Sequence, residues 1–191
     1  LCTDISMIQG AIFFNQDDVI LSILPIHHTY ECTMLLSILS KGGTVAFCDG
    51  LRHIAKNLRE YRPQCLTLVP LVVENLYRKI QEGIQGSPVS RTLVPLLVQI
   101  GRFFDRLGLD VRPILFSKIH AVVGGRHRVM VVGAAALDPD LWQAMTDFGF
   151  RIRQGYGMTE ASPVIATERD LTFRKGTVGP LVPGMEGCID D

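Results

Sequence analysis

Short β-type runs alternate along this chain with stretches of helical periodicity, and that alternation limits the folds open to it. Residues 18–24 read as a strand rising into Pro25. Thr44–Phe47, residues 65–69, 128–132 and 151–154 read the same way. Between them lie helical stretches at 30–40, 52–62, 70–82, 92–107 and 112–123, and one that starts at Asp138-Pro139. In the second, Ile54, Ala55, Leu58 and Tyr61 share one face and Pro63 stops the helix. Pro70 suits a first helical position, and Asp138-Pro139 is a cap followed by such a proline. In the helix it opens, Leu141, Trp142, Met145 and Phe148 form the inner face and Gly149 ends it. Residues 83–90 read as a loop, and Gly124-Gly125 closes the 112–123 helix.

This order predicts an α/β fold, a mostly parallel sheet with helices on both faces. Ligands of such sheets gather at the carboxyl ends of the strands. Three loops are therefore expected on one rim: 25–29, 133–136 and 155–160. No internal repeat or low-complexity tract interrupts the pattern.

Composition narrows the function classes. The chain has 191 residues, 47% hydrophobic and 20% charged, so it can bury a core and is not a disordered segment. Lys plus Arg equals Asp plus Glu, at 19 each, which gives no electrostatic reason to expect nucleic acid. The five cysteines are widely spaced without a CxxC pair, the pattern of reduced thiols in a cytoplasmic protein rather than of a zinc site. The most apolar windows, 66–73 and 92–100, fall short of the roughly 20 residues of a spanning helix. No basic amphipathic helix is evident, and peripheral contact with a membrane face stays open. The chain starts on Leu1 and ends on Asp190-Asp191, which reads as an internal piece of a longer protein.

The stretch "RQGYGMTEASPV", residues 153–164, carries the chemistry. Gly155 and Gly157 let the main chain come close to a flat ligand. Tyr156 offers a face for a purine, and Thr159 a hydroxyl donor for a phosphate oxygen. Glu160 offers a hard oxygen for magnesium, which binds through one or two carboxylates plus substrate phosphates. A tight turn with a packed tyrosine and a capping threonine would explain Gly-Tyr-Gly alone. Met158, Thr159 and Glu160 attached at a strand end favour a nucleotide site.

"GYGMTEASPV" resembles the core signature of the adenylate-forming superfamily, which includes acyl-CoA synthetases, aryl-CoA ligases, luciferases and peptide-synthetase adenylation domains. Three further stretches resemble it in order: "LPIHHTYE" at 24–31, "VVGAAALDPDL" at 131–141 and "GTVGPLVPGME" at 176–186. The resemblance implies that Tyr156 stacks on adenine, that Thr159 contacts the phosphate of ATP or of the acyl-adenylate, and that Glu160 holds Mg2+. It implies that Gly133, Ala134 and Ala135 line the wall shared by adenine and the carboxylic acid, and that Gly155 flanks an acyl tunnel. Gly157 and Met158 complete the nucleotide-binding stretch. His28 would sit beside the reacting carboxylate, where a core histidine bonded to a carbonyl is the plainer alternative. His27 falls on a variable position.

The implied activity is ATP-dependent formation of an acyl-adenylate, followed by transfer of the acyl group to coenzyme A. The helical segment 84–123 together with "HHTYE" looks most like the long-chain fatty acyl-CoA synthetase branch. Aryl or medium-chain acids are the near alternative, and a non-catalytic acyl- or nucleotide-binding module is the alternative from another class. A flavodoxin-like binding domain would explain the alternation but not the four motifs. The resemblance also divides the chain into an α/β unit over 1–175 and the start of a β-rich unit over 176–191. The family's Gly-rich Ser/Thr loop is expected before Leu1, and its ribose-binding Asp, hinge and catalytic Lys after Asp191. The isolated chain is therefore expected to be inactive and to self-associate through surface normally covered.

Overall fold

The computed structural model describes residues 2–169 and 176–188. A helix α1 (Cys2–Ala11) precedes strand β1 (Val19–Ser22), helix α2 (Thr29–Leu39) and strand β2 (Thr44–Phe47). Then come α3 (Ile54–Tyr61), β3 (Cys65–Leu68), α4 (Pro70–Gln85) and α5 (Pro88–Arg106). The short helices α6 (Arg112–Leu115) and α7 (Ser117–His120) lead to β4 (Val129–Val132), α8 (Pro139–Asp147), β5 (Ile152–Gly157) and β6 (Val164–Thr167).

The strands form one six-stranded sheet in the order β2-β1-β3-β4-β5-β6. All neighbours are parallel except β6, which runs antiparallel to β5. The expected α/β class holds. Every residue of β3 and β4 is buried, and their side chains alternate between two apolar layers as the period of a strand requires. Leu66, Leu68, Met130 and Val132 pack under α3, α4 and α8, against Leu58, Val73, Leu76, Trp142 and Met145. Cys65, Val129 and Val131 face α1 and α2, against Ile8, Ile12, Met34, Leu35 and Ile38.

Three differences from the sequence reading have local causes. The expected loop at 83–90 shrinks to Gly86 and Ser87, because Pro88 is not a breaker there. It sits at the start of α5, and the Ser87 hydroxyl accepts from the Ser90 amide at 3.4 Å. The expected single helix over 112–123 is instead α6, α7 and a 3-10 turn Ala121–Val123, since Phe116 takes a non-helical conformation at φ −107°, ψ 28°. The strand expected at 151–154 runs on through Gly157, so the Gly-Tyr-Gly triplet is strand rather than loop. Where expected, Asp138 caps α8, its carboxylate accepting from the amides of Asp140 and Leu141 at 2.8 and 2.9 Å.

Beside α7, His120, His127 and Phe150 stack, with His120 4.7 Å from each of the other two ring centroids. His120 Nε2 donates to the Phe148 carbonyl at 2.7 Å. Burial pulls the pKa of both histidines down, His127 to about 3, with the neighbouring His120 charge adding to the effect. A base whose folded pKa is depressed binds fewer protons folded than unfolded, so its stabilisation is full above the ordinary histidine range and is lost as pH falls. The thermal midpoint is therefore expected to drop steadily between pH 7 and pH 5. His127→Phe should flatten that slope; an equally steep slope in the variant would refute the assignment. Gly124 at φ +89° lies where an added Cβ would stand 2.3 Å from the Leu58 carbonyl oxygen. Gly124→Ala should cost about 2 kcal/mol or more in denaturant unfolding.

Candidate functional site

The carboxyl ends of β1, β3, β4 and β5 open onto a cavity of about 350 Å³. Each wall comes from a turn that the parallel topology forces to this edge. After β1 the chain leaves through Leu24 and Pro25 to His28, which stands at the N-terminus of α2 with extended backbone at φ −76°, ψ 130°. The side chain of His28 is exposed and its ring lies 4.6 Å from that of His27. It is thus not the core histidine of the plainer alternative.

After β4 the chain turns at Gly133 and Ala134, both on the cavity wall. Ala134 has φ +68°, a left-handed conformation that costs a non-glycine residue on the order of 1 kcal/mol. Gly133 lies against the ring of Tyr30, which an added Cβ would approach to 3.2 Å. The Tyr30 hydroxyl donates to the Val131 carbonyl at 3.0 Å, and burial raises its pKa above the ordinary tyrosine range. Ala135 is exposed and lies outside the cavity wall.

Gly155, Tyr156, Gly157, Met158 and Thr159 supply the third wall. Tyr156 is 50% exposed, so its ring is not committed to the core. Gly157 sits where the β5–β6 register shifts, and a Cβ there would come within 1.7 Å of the Pro163 carbonyl oxygen. The Thr159 hydroxyl lies 3.4 Å from that of Thr29, closing the rim between two segments 130 residues apart. Glu160 follows in a 3-10 turn, Thr159–Ala161; its side chain is exposed and stands outside the cavity wall. No cluster of three or more metal-ligating side chains occurs among the described residues. A single exposed carboxylate fits a magnesium ion that takes its remaining ligands from phosphates and water.

The far wall is apolar: Ile8 of α1, Ile12 just after it, Met34 of α2, and Val164 of β6. The sequence reading did not include these residues, nor Tyr30 as a member of the wall. Only the position of Tyr30 within "LPIHHTYE" pointed to it. The arrangement is a mostly apolar cleft at the carboxyl edge of a parallel sheet, with main chain, hydroxyls and one free aromatic face on one side and an apolar pocket on the other.

Ligands of parallel α/β sheets gather at this edge, and comparison with known proteins gives the family. The profile of the family described as AMP-binding enzyme matches residues 1–191, and the chain belongs to that family. It is 30% identical over 182 residues to the mouse long-chain-fatty-acid–CoA ligase 6, covering 92% of this chain and 26% of that protein. It is 30% identical over 192 residues to the Arabidopsis thaliana peroxisomal long chain acyl-CoA synthetase 7, covering 93% of this chain and 26% of the relative. The chain thus spans about a quarter of these relatives' length. A malonyl-CoA ligase with methylmalonyl-CoA and AMP bound shares the fold at TM-score 0.65 and 23% identity, covering 96% of this chain and 33% of that one. The ATP-bound MatB of Rhodopseudomonas palustris does so at TM-score 0.66 and 22% identity, covering 96% and 30%.

The crowding at Gly157 gives a direct expectation. Gly157→Ala must part β5 from β6 beside Tyr156, so AMP affinity measured by calorimetry on the full-length protein should fall at least tenfold. Unchanged affinity would show that this strand end is not part of the nucleotide wall.

Proposed function

We propose that the protein is an ATP-dependent acyl-CoA synthetase, that this chain supplies the adenylate-binding part of it, and that its acid is a long-chain fatty acid. The observation that carries the reading is the convergence of His28, Gly133, Ala134, Tyr156 and Thr159 on one cavity whose opposite wall is apolar. In this reading adenine stacks on Tyr156 and passes close to the main chain at Gly133 and Gly157. The Thr159 hydroxyl donates to the phosphate, and His28 stands where the carboxylate enters. Ile8, Ile12 and Met34 receive the first part of the acyl chain, which favours an aliphatic acid over an aryl one.

The chemistry proceeds in two balanced steps. A carboxylate oxygen attacks the α-phosphorus of ATP, the bond to the bridging oxygen breaks, and pyrophosphate leaves with its electron pair. The thiolate of coenzyme A then attacks the acyl carbon, and AMP leaves. Donors fixed at the developing phosphate charge contribute the largest share of rate in such reactions. Glu160 would hold magnesium, which supplies neutralising charge at the phosphate oxygens. Residues 180–182 pair with β6 through the amide of Thr167 to the Pro180 carbonyl and that of Val182 to the Ile165 carbonyl. The segment after 176 thus begins on the edge of this sheet, and the β-rich unit proposed from 176 would open there. No helix among the described residues is long and apolar enough to cross a membrane. The five free cysteines support a cytoplasmic setting, and the apolar side chains that α5 turns outward, among them Val89 and Phe103, support a further covered surface.

The test is acid-dependent pyrophosphate release by the full-length protein with palmitate, octanoate and benzoate as alternatives. Palmitate is expected to give the highest kcat/KM. Glu160→Ala should lower release on the order of 100-fold. Equal release by that variant would remove the metal role from Glu160, and preference for benzoate would overturn the long-chain reading.

A further inference from the structure

One acidic side chain beneath the cavity has no part in the reading above. Glu31, in the first turn of α2, is 0% exposed. Its Oε1 accepts from the Ser22 hydroxyl at 2.7 Å and its Oε2 from the Thr67 hydroxyl at 2.6 Å. The main-chain amides of Ile23 and Leu24 also favour its charged form. Ser22 ends β1, Ile23 and Leu24 start the loop toward His28, and Thr67 lies in β3 opposite Val131 of β4. One carboxylate therefore joins α2, the end of β1, the loop after it and β3.

The groups facing it are neutral donors. Among the described residues the other titratable group coupled to it is Tyr30, on its own helix. No cation among the described residues contributes to its setting. A buried carboxylate without a cation is a poor stabiliser, since an apolar or amide side chain of similar size avoids the desolvation penalty. Burial outweighs the two hydroxyl bonds and the amides of Ile23 and Leu24 and raises its pKa above the ordinary carboxylate range. The same contacts have a strong geometric effect. They fix the helix start that carries His28 and Thr29, and Thr29 is the residue whose hydroxyl meets Thr159 across the cavity. Tyr30, between them, is fixed at its far end by Val131.

We propose that Glu31 is a positioning residue: by gripping the edge of β1, the following loop and β3 at once, it sets His28 and Thr29 against the cavity. The proposal rests on reading that cavity as the adenylation site. Glutamine keeps the size of the side chain but turns an NH2 group toward donors. The two hydroxyls can reverse their roles, whereas the amides of Ile23 and Leu24 cannot, so Glu31→Gln should leave the fold intact and shift the loop.

The experiment is acid-dependent exchange of pyrophosphate into ATP by the full-length protein. Glu31→Gln is expected to lower kcat about tenfold and Glu31→Ala about 100-fold, with KM for ATP within threefold of wild type, because the Tyr156 and Thr159 walls stay in place. The thermal midpoint of Glu31→Gln should equal or exceed wild type at pH 8, and that difference should shrink as pH falls and the native carboxyl takes up a proton. The imidazole NMR signals of His28 in the ligand-free protein should move in Glu31→Gln, a readout that needs no turnover. Unmoved signals with kcat within threefold of wild type overturn the positioning role. A parallel loss of kcat, ATP affinity and thermal midpoint does so too, since it reduces Glu31 to a fold-stabilising group. Absence of exchange by the wild type with every acid tried would instead overturn the adenylation reading, and the His28 signals would still decide whether Glu31 places that ring.

Discussion

Burial of β3 and β4 on both faces is the constraint from which the site follows. Main-chain groups in these strands have no access to water, so each must pair within the sheet. Parallel pairing of β1, β3, β4 and β5 meets that need. A parallel ladder obliges the chain to return across a face between strands, which places every outgoing turn at one edge. His28, Ala134 and Tyr156 are neighbours for that reason and not because of any direct attraction among them. The two apolar layers, one under α1 and α2 and the other under α3, α4 and α8, then hold the edge rigid.

The edge so built is electrostatically incomplete. No lysine or arginine lines the cavity among the described residues. Its polar character comes from hydroxyls, main-chain groups and the start of α2, whose dipole adds only a modest positive potential. Such a wall offers close approach and orientation to a flat ligand rather than a strong counter-charge to an anion.

Legibility in the sequence followed the range of the interactions. The strands at 65–69 and 128–132 and the cap at Asp138 were readable because apolar runs and capping residues act within a few positions. The stretch 155–159 was readable as one wall because its residues are contiguous. Helix α1 was not: Cys2–Ala11 carries no cap or strong apolar stripe, and only packing of Ile8 against the sheet shows what it is for. β6 was missed because its partner is the strand that ends in the signature itself. Pro88 misled because the same residue that breaks a helix also begins one. Glu31 was invisible as anchor and Tyr30 was signalled only by its place in "LPIHHTYE", since their partners Thr67 and Val131 lie 36 and 101 residues away.

These long-range contacts also explain why small residues dominate two of the three walls. Gly133 faces the fixed Tyr30 ring, and Gly157 faces the Pro163 carbonyl, so each is small because something rigid already occupies the space a side chain would need. Ala134 carries its left-handed strain in the same turn. Strain of that kind persists where the surrounding structure over-determines the main chain. Here the determinants are Tyr30 on one side and the buried end of β4 on the other. The shape offered to a flat ligand is therefore set by backbone, and the backbone is set by the groups packed against it.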